Sequence, residues 1–223
     1  MDNRVALVTG GTRGIGRVIA QEMRRHGVKV IVLSSKLPMG IVWDDHIKCD
    51  LADILSVAGV VDAVVQKFGR LDILVNNAGI QSQDWIDSMA VMLTAPYMLS
   101  YDASRVMQDG GHIVNILSTA SFQGARNITP YVVAKHGLLG LTRAMAIELA
   151  PKIHVNAVAP GLTETDMIAD MTPERKEFLK SITPMGRFCT PEEIADAVLF
   201  LVNSTAIYGQ TITVDGGWLS KNG

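Results

Sequence analysis

The chain lacks the sequence features of a disulfide-stabilised, membrane-spanning or nucleic-acid-binding protein. Its 223 residues include only two cysteines, Cys49 and Cys189, too few for a disulfide framework or a cysteine metal site. No uninterrupted apolar run approaches the length that spans a bilayer, and no signal-peptide pattern precedes the first predicted strand. The net charge is −2 without a dense lysine or arginine tract, which argues against nucleic acid or an anionic membrane as the main partner. These absences predict a cytoplasmic protein without a metal site.

Apolar runs typical of buried strands alternate with helical patterns along the whole chain, 48% of which is hydrophobic. Such alternation predicts an α/β fold with a doubly wound, mostly parallel sheet of seven strands and helices on both faces. We expect one domain over residues 1–223. Ligands of such sheets bind at the carboxyl ends of the strands, where the motifs described next fall.

A glycine-rich turn follows the first predicted strand. Val5 to Val8 is apolar and β-branched, Gly10, Gly14 and Gly16 come next, and a helical pattern begins at Arg17. A strand, a glycine turn and a helix start bring several backbone N–H groups to one point, which suits a pyrophosphate. The spacing differs from the commoner G-x-G-x-x-G, so an ordinary glycine-rich turn is the alternative.

The end of the second predicted strand bears on the choice of dinucleotide. An acidic residue there would bond the 2′-hydroxyl of NAD, but Ser34, Ser35 and Lys36 stand at this position. Together with Arg13 of the glycine turn they offer donors and positive charge, which suit the 2′-phosphate of NADP. NADP(H) is therefore preferred and NAD(H) stays possible, since Lys36 could be a solvated loop lysine. Asp50, after the third strand, could bond the adenine amine or cap a helix.

The other segments carry expectations about local structure. A helix is predicted from Ser56 to Phe68, and a long one from Ile86 to Met107 with a kink or break at Pro96. The segment from Leu37 to Asp45 is too short and broken for a full helix. Polar and methionine-rich residues from Thr163 to Gly186 predict a lid of one or two helices.

One helix carries a tyrosine and a lysine four residues apart, after a strand that ends in Ser118. Tyr131 and Lys135 share one face of the helix predicted from Pro130 to Ala150. A Tyr-x-x-x-Lys alone is more often a surface pair, but here it follows a phosphate-binding turn and a strand ending in hydroxyls. We predict that Tyr131 is a general acid and base, that Lys135 favours its phenolate, and that Ser118 holds the substrate oxygen.

These motifs resemble the short-chain dehydrogenase/reductase family from Arg4 to Trp218. The family's T-G-x-x-x-G-x-G matches Thr9 to Gly16, its N-N-A-G matches Asn76 to Gly79, and its last strand and turn match Val214 to Gly217. Its serine lies thirteen residues before Tyr131, as Ser118 does. Within the family, PGLTETDM and PMGRFCTPEEIADAVLFL look most like 3-oxoacyl-acyl-carrier-protein reductases.

The resemblance implies a Rossmann fold and an NAD(P)-dependent oxidoreductase that reduces a ketone or 3-oxoacyl group to a secondary alcohol. Its catalytic residues would be Ser118, Tyr131 and Lys135. The alternatives are a sugar or small-alcohol dehydrogenase and a weakly catalytic cofactor-binding sensor. It also implies a homotetramer, or a dimer, paired through the long helices and near the last strand. The cofactor-binding positions are then Gly10, Thr12, Arg13, Gly14, Ile15, Gly16, Ser34, Ser35, Lys36, Asp50, Leu51, Asn77, Ala78, Gly79, Tyr131, Lys135, Pro160, Gly161, Thr163 and Thr165.

The chain departs from the family pattern at three places. Met92 stands where the family has an asparagine that holds a proton-relaying water, and a thioether cannot replace an amide. The loop from Gly79 to Trp85 is shorter than usual, which would reshape the substrate entrance. The segment from Leu37 to Asp45 lacks a helix that many members have.

Overall fold

The computed structural model describes residues 3–36 and 43–222, and its centre is a seven-stranded parallel sheet. The strands run in the spatial order β3-β2-β1-β4-β5-β6-β7, and every neighbouring pair is parallel. The expected doubly wound Rossmann architecture is confirmed. The strands are β1 Val5–Thr9, β2 Lys29–Ser34, β3 Asp45–Lys48, β4 Ile73–Asn76, β5 Gly111–Ile116, β6 Ile153–Pro160 and β7 Thr211–Val214.

Helices cover both faces of the sheet. Along the chain they are α1 Gly14–Arg25, α2 Ile54–Val57, α3 Val60–Phe68, α4 Trp85–Met89, α5 Ala95–Val106, α6 Thr129–Leu149, α7 Pro173–Ile182, α8 Pro191–Val202 and α9 Trp218–Asn222. Helices α1 and α8 pack on one face, and α3, α5 and α6 pack on the other. Successive residues of β1 point to opposite faces, so Leu7 joins one core cluster and Val8 the other. This two-sided burial explains why the apolar run of β1 does not alternate with polar residues.

The predicted helix from Ser56 to Phe68 is wrong as a single element. Helix α2 ends at Val57 and α3 begins at Val60, and Gly59 between them adopts a φ of +80°. This left-handed conformation is favourable for glycine and interrupts the α-helical backbone. The apolar periodicity runs through the interruption, so the pattern alone did not reveal it.

The predicted helix from Ile86 to Met107 consists of three consecutive segments. A π-helical segment, Ala90–Thr94, joins α4 to α5, and Pro96 lies in the first turn of α5. Proline has no N–H to donate to the carbonyl four residues earlier, which is that of Met92, so the α-helical ladder is interrupted there. The expected irregularity at Pro96 is confirmed. The other expected departure, the missing helix from Leu37 to Asp45, falls mostly on residues 37–42, which lie outside the described residues.

Among residues 3–36 and 43–222, no helix combines the length and apolarity needed to cross a bilayer. The same residues contain no group of three or more His, Cys, Asp or Glu side chains arranged to hold a metal ion. Cys49 and Cys189 are both buried free thiols.

A stack of aromatic rings lies near the start of β5 and β6, at the end of the sheet opposite the strands' carboxyl ends. His112 and His154 are register partners with ring centroids 4.6 Å apart, and Tyr208 stacks on His154 at 4.4 Å. His112 is only 5% exposed. Burial, followed by the nearby His154 and Arg4, lowers the pKa of His112 from 6.5 to about 4.

We therefore expect His112 to destabilise the protein in acid. Between about pH 6.5 and pH 4 the unfolded chain binds a proton at His112 and the folded chain does not, so stability falls as pH falls. The contribution is roughly 2–3 kcal/mol over that window. Urea unfolding at pH 7 and pH 4.5 should show a smaller loss for His112→Phe, which keeps the stacked ring. The exposed His136→Gln serves as the control, and an unchanged loss in His112→Phe contradicts the assignment.

Candidate active site

The glycine turn requires its glycines for steric reasons. Gly10 and Gly14 have φ values of +64° and +52°, where side chains are disfavoured. A Cβ on Gly16 would lie 2.3 Å from Asn77 Nδ2 and 2.5 Å from the Gly10 carbonyl oxygen. Asn77 Nδ2 in turn donates to the carbonyl of Thr9 at 2.8 Å. The turn is thus held against the Asn-Asn-Ala-Gly segment, with no space for a larger residue at Gly16.

The start of α1 is suited to an anion. Its N-cap residue, Arg13, makes no side-chain capping hydrogen bond, and the first turn contains no acidic residue. The first N–H groups of a helix have no partner within the helix, so they favour a diphosphate. A Cβ on Gly14 would lie 3.6 Å from Thr165 Cγ2, which places the segment after β6 over the turn. The residues present therefore fit the diphosphate of a dinucleotide.

The Asn76 to Gly79 segment ties neighbouring strands together. The backbone N–H groups of Asn77 and Ala78 donate to Thr9 Oγ1 at 2.9 and 3.0 Å. Asn76 Nδ2 donates to Asn115 Oδ1 at 2.9 Å. These bonds join β4 to β1 and β5. The small residues that follow, Ala78 and Gly79, leave the backbone accessible to a ligand.

Three side chains predicted to be catalytic meet at the carboxyl end of β5. Ser118 follows β5, and its Oγ accepts a hydrogen bond from Ala120 N at 3.1 Å. Tyr131 lies close enough to Ser118 for the serine side chain to lower the tyrosine's pKa by hydrogen bonding. Lys135 lies one turn along α6 from Tyr131, with its Nζ 5.8 Å from the centroid of the tyrosine ring. The structure thus brings a hydroxyl, a phenol and an ammonium group together as the sequence predicted.

Burial controls the protonation of Tyr131 and Lys135. Lys135 is 3% exposed, and its Nζ donates to the carbonyl of Ile116 at 2.6 Å. Burial lowers the pKa of Lys135 from 10.5 to about 8. Burial also raises the pKa of Tyr131 above 10, and the hydrogen bond with Ser118 opposes this rise. The expectation that the tyrosine is shifted toward phenolate is corrected for the protein alone, because desolvation is the larger influence.

His46, which the sequence analysis did not identify, lies next to Ser34 at the predicted adenosine side of the site. Ser34 Oγ donates to the carbonyl of Lys36 at 2.6 Å and lies 2.9 Å from His46 Nε2. Because the hydroxyl has one hydrogen, the imidazole must donate to Ser34. His46 comes from β3, beside β2, and only the register of the two strands could have revealed it. Ser35 and Lys36 are exposed at the end of β2.

The two residues predicted beside the adenine differ in surroundings. Asp50 Oδ1 accepts a hydrogen bond from Ala52 N at 3.0 Å and so holds the turn after β3. The cap of α2 is Asp53, whose side chain accepts from Leu55 N at 3.1 Å. The capping role that was one reading of Asp50 therefore belongs to Asp53. Leu51 is 6% exposed and packs in the hydrophobic core.

The segment after β6 is fixed by the last strand. Gly161 N, directly after Pro160, donates to the carbonyl of Val214 at 2.8 Å, and a Cβ on Gly161 would lie 2.7 Å from the Cα of Asp215. Thr163 Oγ1 donates to the carbonyl of Gly161 at 3.0 Å. These contacts hold the Pro-Gly turn at the carboxyl end of β6, the strand that pairs with β5.

Met92 and the short loop after Gly79 are the two departures from the family pattern that fall within the described residues. Met92 is fully buried within the π-helical segment, and its Sδ is 3.9 Å from the position of a Cβ on Gly79. Residue 92 therefore has no amide side chain, so its side chain cannot hold a proton-relaying water as the family's asparagine would. In the short loop, Gln83 Nε2 donates to the carbonyl of Asn127, which joins this loop to the one before α6.

Comparison with known proteins agrees with this arrangement. The family pattern described as Enoyl-(Acyl carrier protein) reductase matches residues 10–219. The 3-oxoacyl-acyl-carrier-protein reductase FabG of Aquifex aeolicus is 37% identical, over 97% of this chain and 98% of the relative. Ligand-free aldohexose dehydrogenase of Thermoplasma acidophilum has 33% identity and a TM-score of 0.92, over 98% and 95% of the two chains. A short-chain dehydrogenase of Burkholderia cenocepacia, in complex with NADP, has 31% identity and a TM-score of 0.89, over 98% of both chains.

A glycine turn at the start of a doubly wound sheet, with Tyr131 and Lys135 beside Ser118, defines a dehydrogenase or reductase that uses a nicotinamide cofactor. The chain belongs to the short-chain dehydrogenase/reductase family and is an oxidoreductase of that family.

Proposed function

We propose that this protein is an NADP(H)-dependent reductase that converts a ketone or 3-oxoacyl group to a secondary alcohol. The observation that carries the proposal is the proximity of Tyr131 to Ser118 and Lys135 at the edge of the sheet where the glycine turn lies. The name of the relative from Aquifex aeolicus supports a 3-oxoacyl substrate. The reverse reaction would oxidise the alcohol.

The proposed roles follow from the chemistry of the three side chains. When bound, a nicotinamide cofactor supplies or accepts the hydride. Tyr131 Oη gives a proton to the substrate oxygen in reduction and takes it in oxidation. Ser118 Oγ hydrogen-bonds that oxygen where negative charge develops, and Lys135 holds a positive charge near the tyrosine. The raised pKa of Tyr131 keeps the phenol protonated at neutral pH, which suits the reductive direction.

The preference for NADP(H) over NAD(H) rests on the residues after β2. No carboxylate occupies positions 34–36, and Lys36 is exposed and able to approach a phosphate. Arg13 pairs with Asp166 at 4.0 Å, but both side chains are about three-quarters exposed, at 75% and 73%. Such an exposed pair is weak, so Arg13 stays available to an anion. The NADP complex of the Burkholderia cenocepacia relative supports the same choice.

Two other functions have specific support. A dehydrogenase of a sugar or small alcohol is favoured by the similarity to the Thermoplasma acidophilum aldohexose dehydrogenase. A weakly catalytic cofactor sensor is favoured by Met92, which removes the relay side chain. The intact Ser118, Tyr131 and Lys135 argue against the sensor, because binding alone does not require an acid–base set.

Fluorescence titration with NADPH and NADH, followed by NADPH consumption with an acetoacetyl thioester, tests the proposal. We expect tighter binding of NADPH, and Lys36→Ser should weaken NADPH about tenfold while changing NADH about twofold or less. Turnover of the thioester supports the reductase. Binding with turnover of only sugars or small alcohols supports the dehydrogenase, and binding without any turnover supports the sensor. Absence of binding by either cofactor would contradict all three.

We also propose one cytoplasmic domain over residues 1–223 that assembles into a homotetramer, with a dimer as the alternative. Large apolar side chains are exposed on α4 and α5, namely Ile86, Tyr97 and Tyr101, and on α8 through Phe200. Burial of such surfaces stabilises association. Sedimentation equilibrium should give four copies of the 24.1 kDa chain, and Tyr101→Asp should shift the distribution to smaller species. A monomer at micromolar concentration contradicts the assembly.

A further inference from the structure

The carboxyl end of the lid is attached to the segment that follows β7. The lid is defined here as residues 163–186, which contain α7, and the C-terminal segment as residues 215–221. Met185 N donates to the carbonyl of Gly216 at 3.0 Å, and Lys221 Nζ donates to the carbonyl of Ile182 at 3.2 Å. The lysine thus places positive charge at the carboxyl end of α7, where the helix dipole favours it. Both contacts fix the end of α7 rather than its beginning.

The two glycines of the C-terminal segment let it approach the lid closely. A Cβ on Gly216 would lie 2.8 Å from Met185 Cε and 2.9 Å from Met185 Cβ. A Cβ on Gly217 would lie 3.1 Å from Pro184. Both glycines have positive φ values, of +62° and +87°. The backbone of this turn is therefore in direct contact with the lid's carboxyl end.

Asp215 connects this turn to the segment that contacts the proposed cofactor site. Its Oδ1 accepts a hydrogen bond from Gly217 N at 2.9 Å, and its Oδ2 accepts from Leu219 N at 2.8 Å. Its Cα is 2.7 Å from the position of a Cβ on Gly161. Asp215 therefore fixes the course of the C-terminal segment and also packs against the Pro-Gly turn.

Trp218 contributes an apolar contact with the lid. A small hydrophobic cluster formed by Ile168, Leu179 and Phe188 is separate from the clusters on the two faces of the sheet, and Trp218 packs against it. Leu179 lies in α7 and Ile168 in the short 3-10 turn before it. The lid therefore has its own core, of which one side is provided by the C-terminal segment.

The amino side of the lid meets the glycine turn more loosely. Thr165 Cγ2 is at van der Waals distance, 3.6 Å, from the position of a Cβ on Gly14, and Arg13 and Asp166 are 4.0 Å apart and largely exposed. Exposed pairs of this kind contribute little. The first two residues of the lid are fixed as well, because Thr163 pairs with Cys189 and Glu164 N donates to the Cys189 carbonyl at 2.9 Å. The loosely held part of the lid therefore lies between these two attachments and includes the residues that face the glycine turn.

We propose that Asp215 and Trp218 are positioning residues that hold the carboxyl end of the lid, so that the part of the lid between its two attachments is poised to close over substrate. This deepens the proposed function, on which it rests, by assigning substrate capture to contacts outside the catalytic side chains. Neither residue reaches the reacting atoms. Their loss should weaken substrate capture and leave the chemical step unchanged.

Steady-state kinetics with an acetoacetyl thioester and NADPH test this on the full chain. Asp215→Asn removes one of the two accepting oxygens, and Trp218→Ala removes the packing. We expect each to raise KM about five- to tenfold with kcat within about twofold of wild type. Two matched controls should behave as wild type: Asp196→Asn, an exposed carboxylate that lines the same cleft as Asp215, and Trp218→Phe, which keeps an aromatic ring. A lower melting temperature with unchanged KM would overturn the proposal, as would an equal effect of Asp196→Asn.

Limited trypsin digestion provides a readout that needs no substrate. The lid helix offers cleavage sites at Arg175, Lys176 and Lys180. We expect Asp215→Asn and Trp218→Ala to be cut there about tenfold faster than wild type under conditions where all variants stay folded. Equal digestion rates would overturn the positioning role even if another substrate proves to be the physiological one. Failure of wild type to turn over the thioester, with accelerated digestion of the variants, would overturn the proposed substrate and leave the attachment of the lid supported.

Discussion

Tyr131→Phe is expected to lower kcat for carbonyl reduction by about 10²–10⁴-fold, because it removes the proton donor at the substrate oxygen. The phenol lies near Ser118 and the ammonium group of Lys135, and phenylalanine has no proton to give at that position. The ring and its packing remain, so the dissociation constant for NADPH should change about twofold or less. Steady-state NADPH consumption and fluorescence titration measure the two effects separately.

Tyr208→Phe is the control for loss of a phenol elsewhere. Its hydroxyl donates to the carbonyl of Pro151 at 3.2 Å, near the start of β6 and away from the carboxyl ends of the strands. This variant should keep the wild-type kcat. A near-normal rate for Tyr131→Phe would show that another group or solvent delivers the proton, and the assignment of Tyr131 as acid would then be abandoned.

The sequence predicted which motifs lie at the carboxyl ends of the strands because each signal there is local. The glycines of the first turn are close together in the sequence, Ser118 closely follows β5, and Tyr131 and Lys135 are one helical turn apart. The alternation of strands and helices then places all of them at one edge. Three-dimensional proximity followed from topology alone.

The features that the sequence did not reveal depend on contacts between distant segments. His46 reaches Ser34 only because β3 pairs with β2 in one register, and Asp215 backs Gly161 only because β7 lies beside β6. The break between α2 and α3 was hidden because apolar periodicity continues through Gly59. The net rise in the Tyr131 pKa was also missed, since desolvation depends on packing that a motif does not describe.

Lys135→Met is expected to abolish most of the activity while increasing stability. Burial lowers the pKa of Lys135 to about 8, from 10.5 in the unfolded chain, so its charged form is disfavoured in the folded protein. At neutral pH this costs roughly 3 kcal/mol of unfolding free energy. Methionine removes that cost but leaves the Ile116 carbonyl without its donor, which costs about 1–2 kcal/mol. The net gain at pH 7 should be about 1–2 kcal/mol, measured by urea unfolding.

The pH dependence distinguishes this account from a general packing effect. Between pH 8 and 10.5 the unfolded wild type binds more protons at residue 135 than the folded protein does, so its stability rises with pH across that window. Lys135→Met should lack this rise. Lys152→Met is the matched control, because its exposed Nζ also donates to a carbonyl, that of Ser104 at 3.3 Å, without the desolvation. A Lys135→Met variant that is inactive, less stable than wild type and still gains stability between pH 8 and 10.5 would contradict the assignment of this cost to burial of Lys135. An ammonium group buried at a net cost to stability is expected where its charge serves the reaction, since selection for stability alone favours an apolar side chain at such a position.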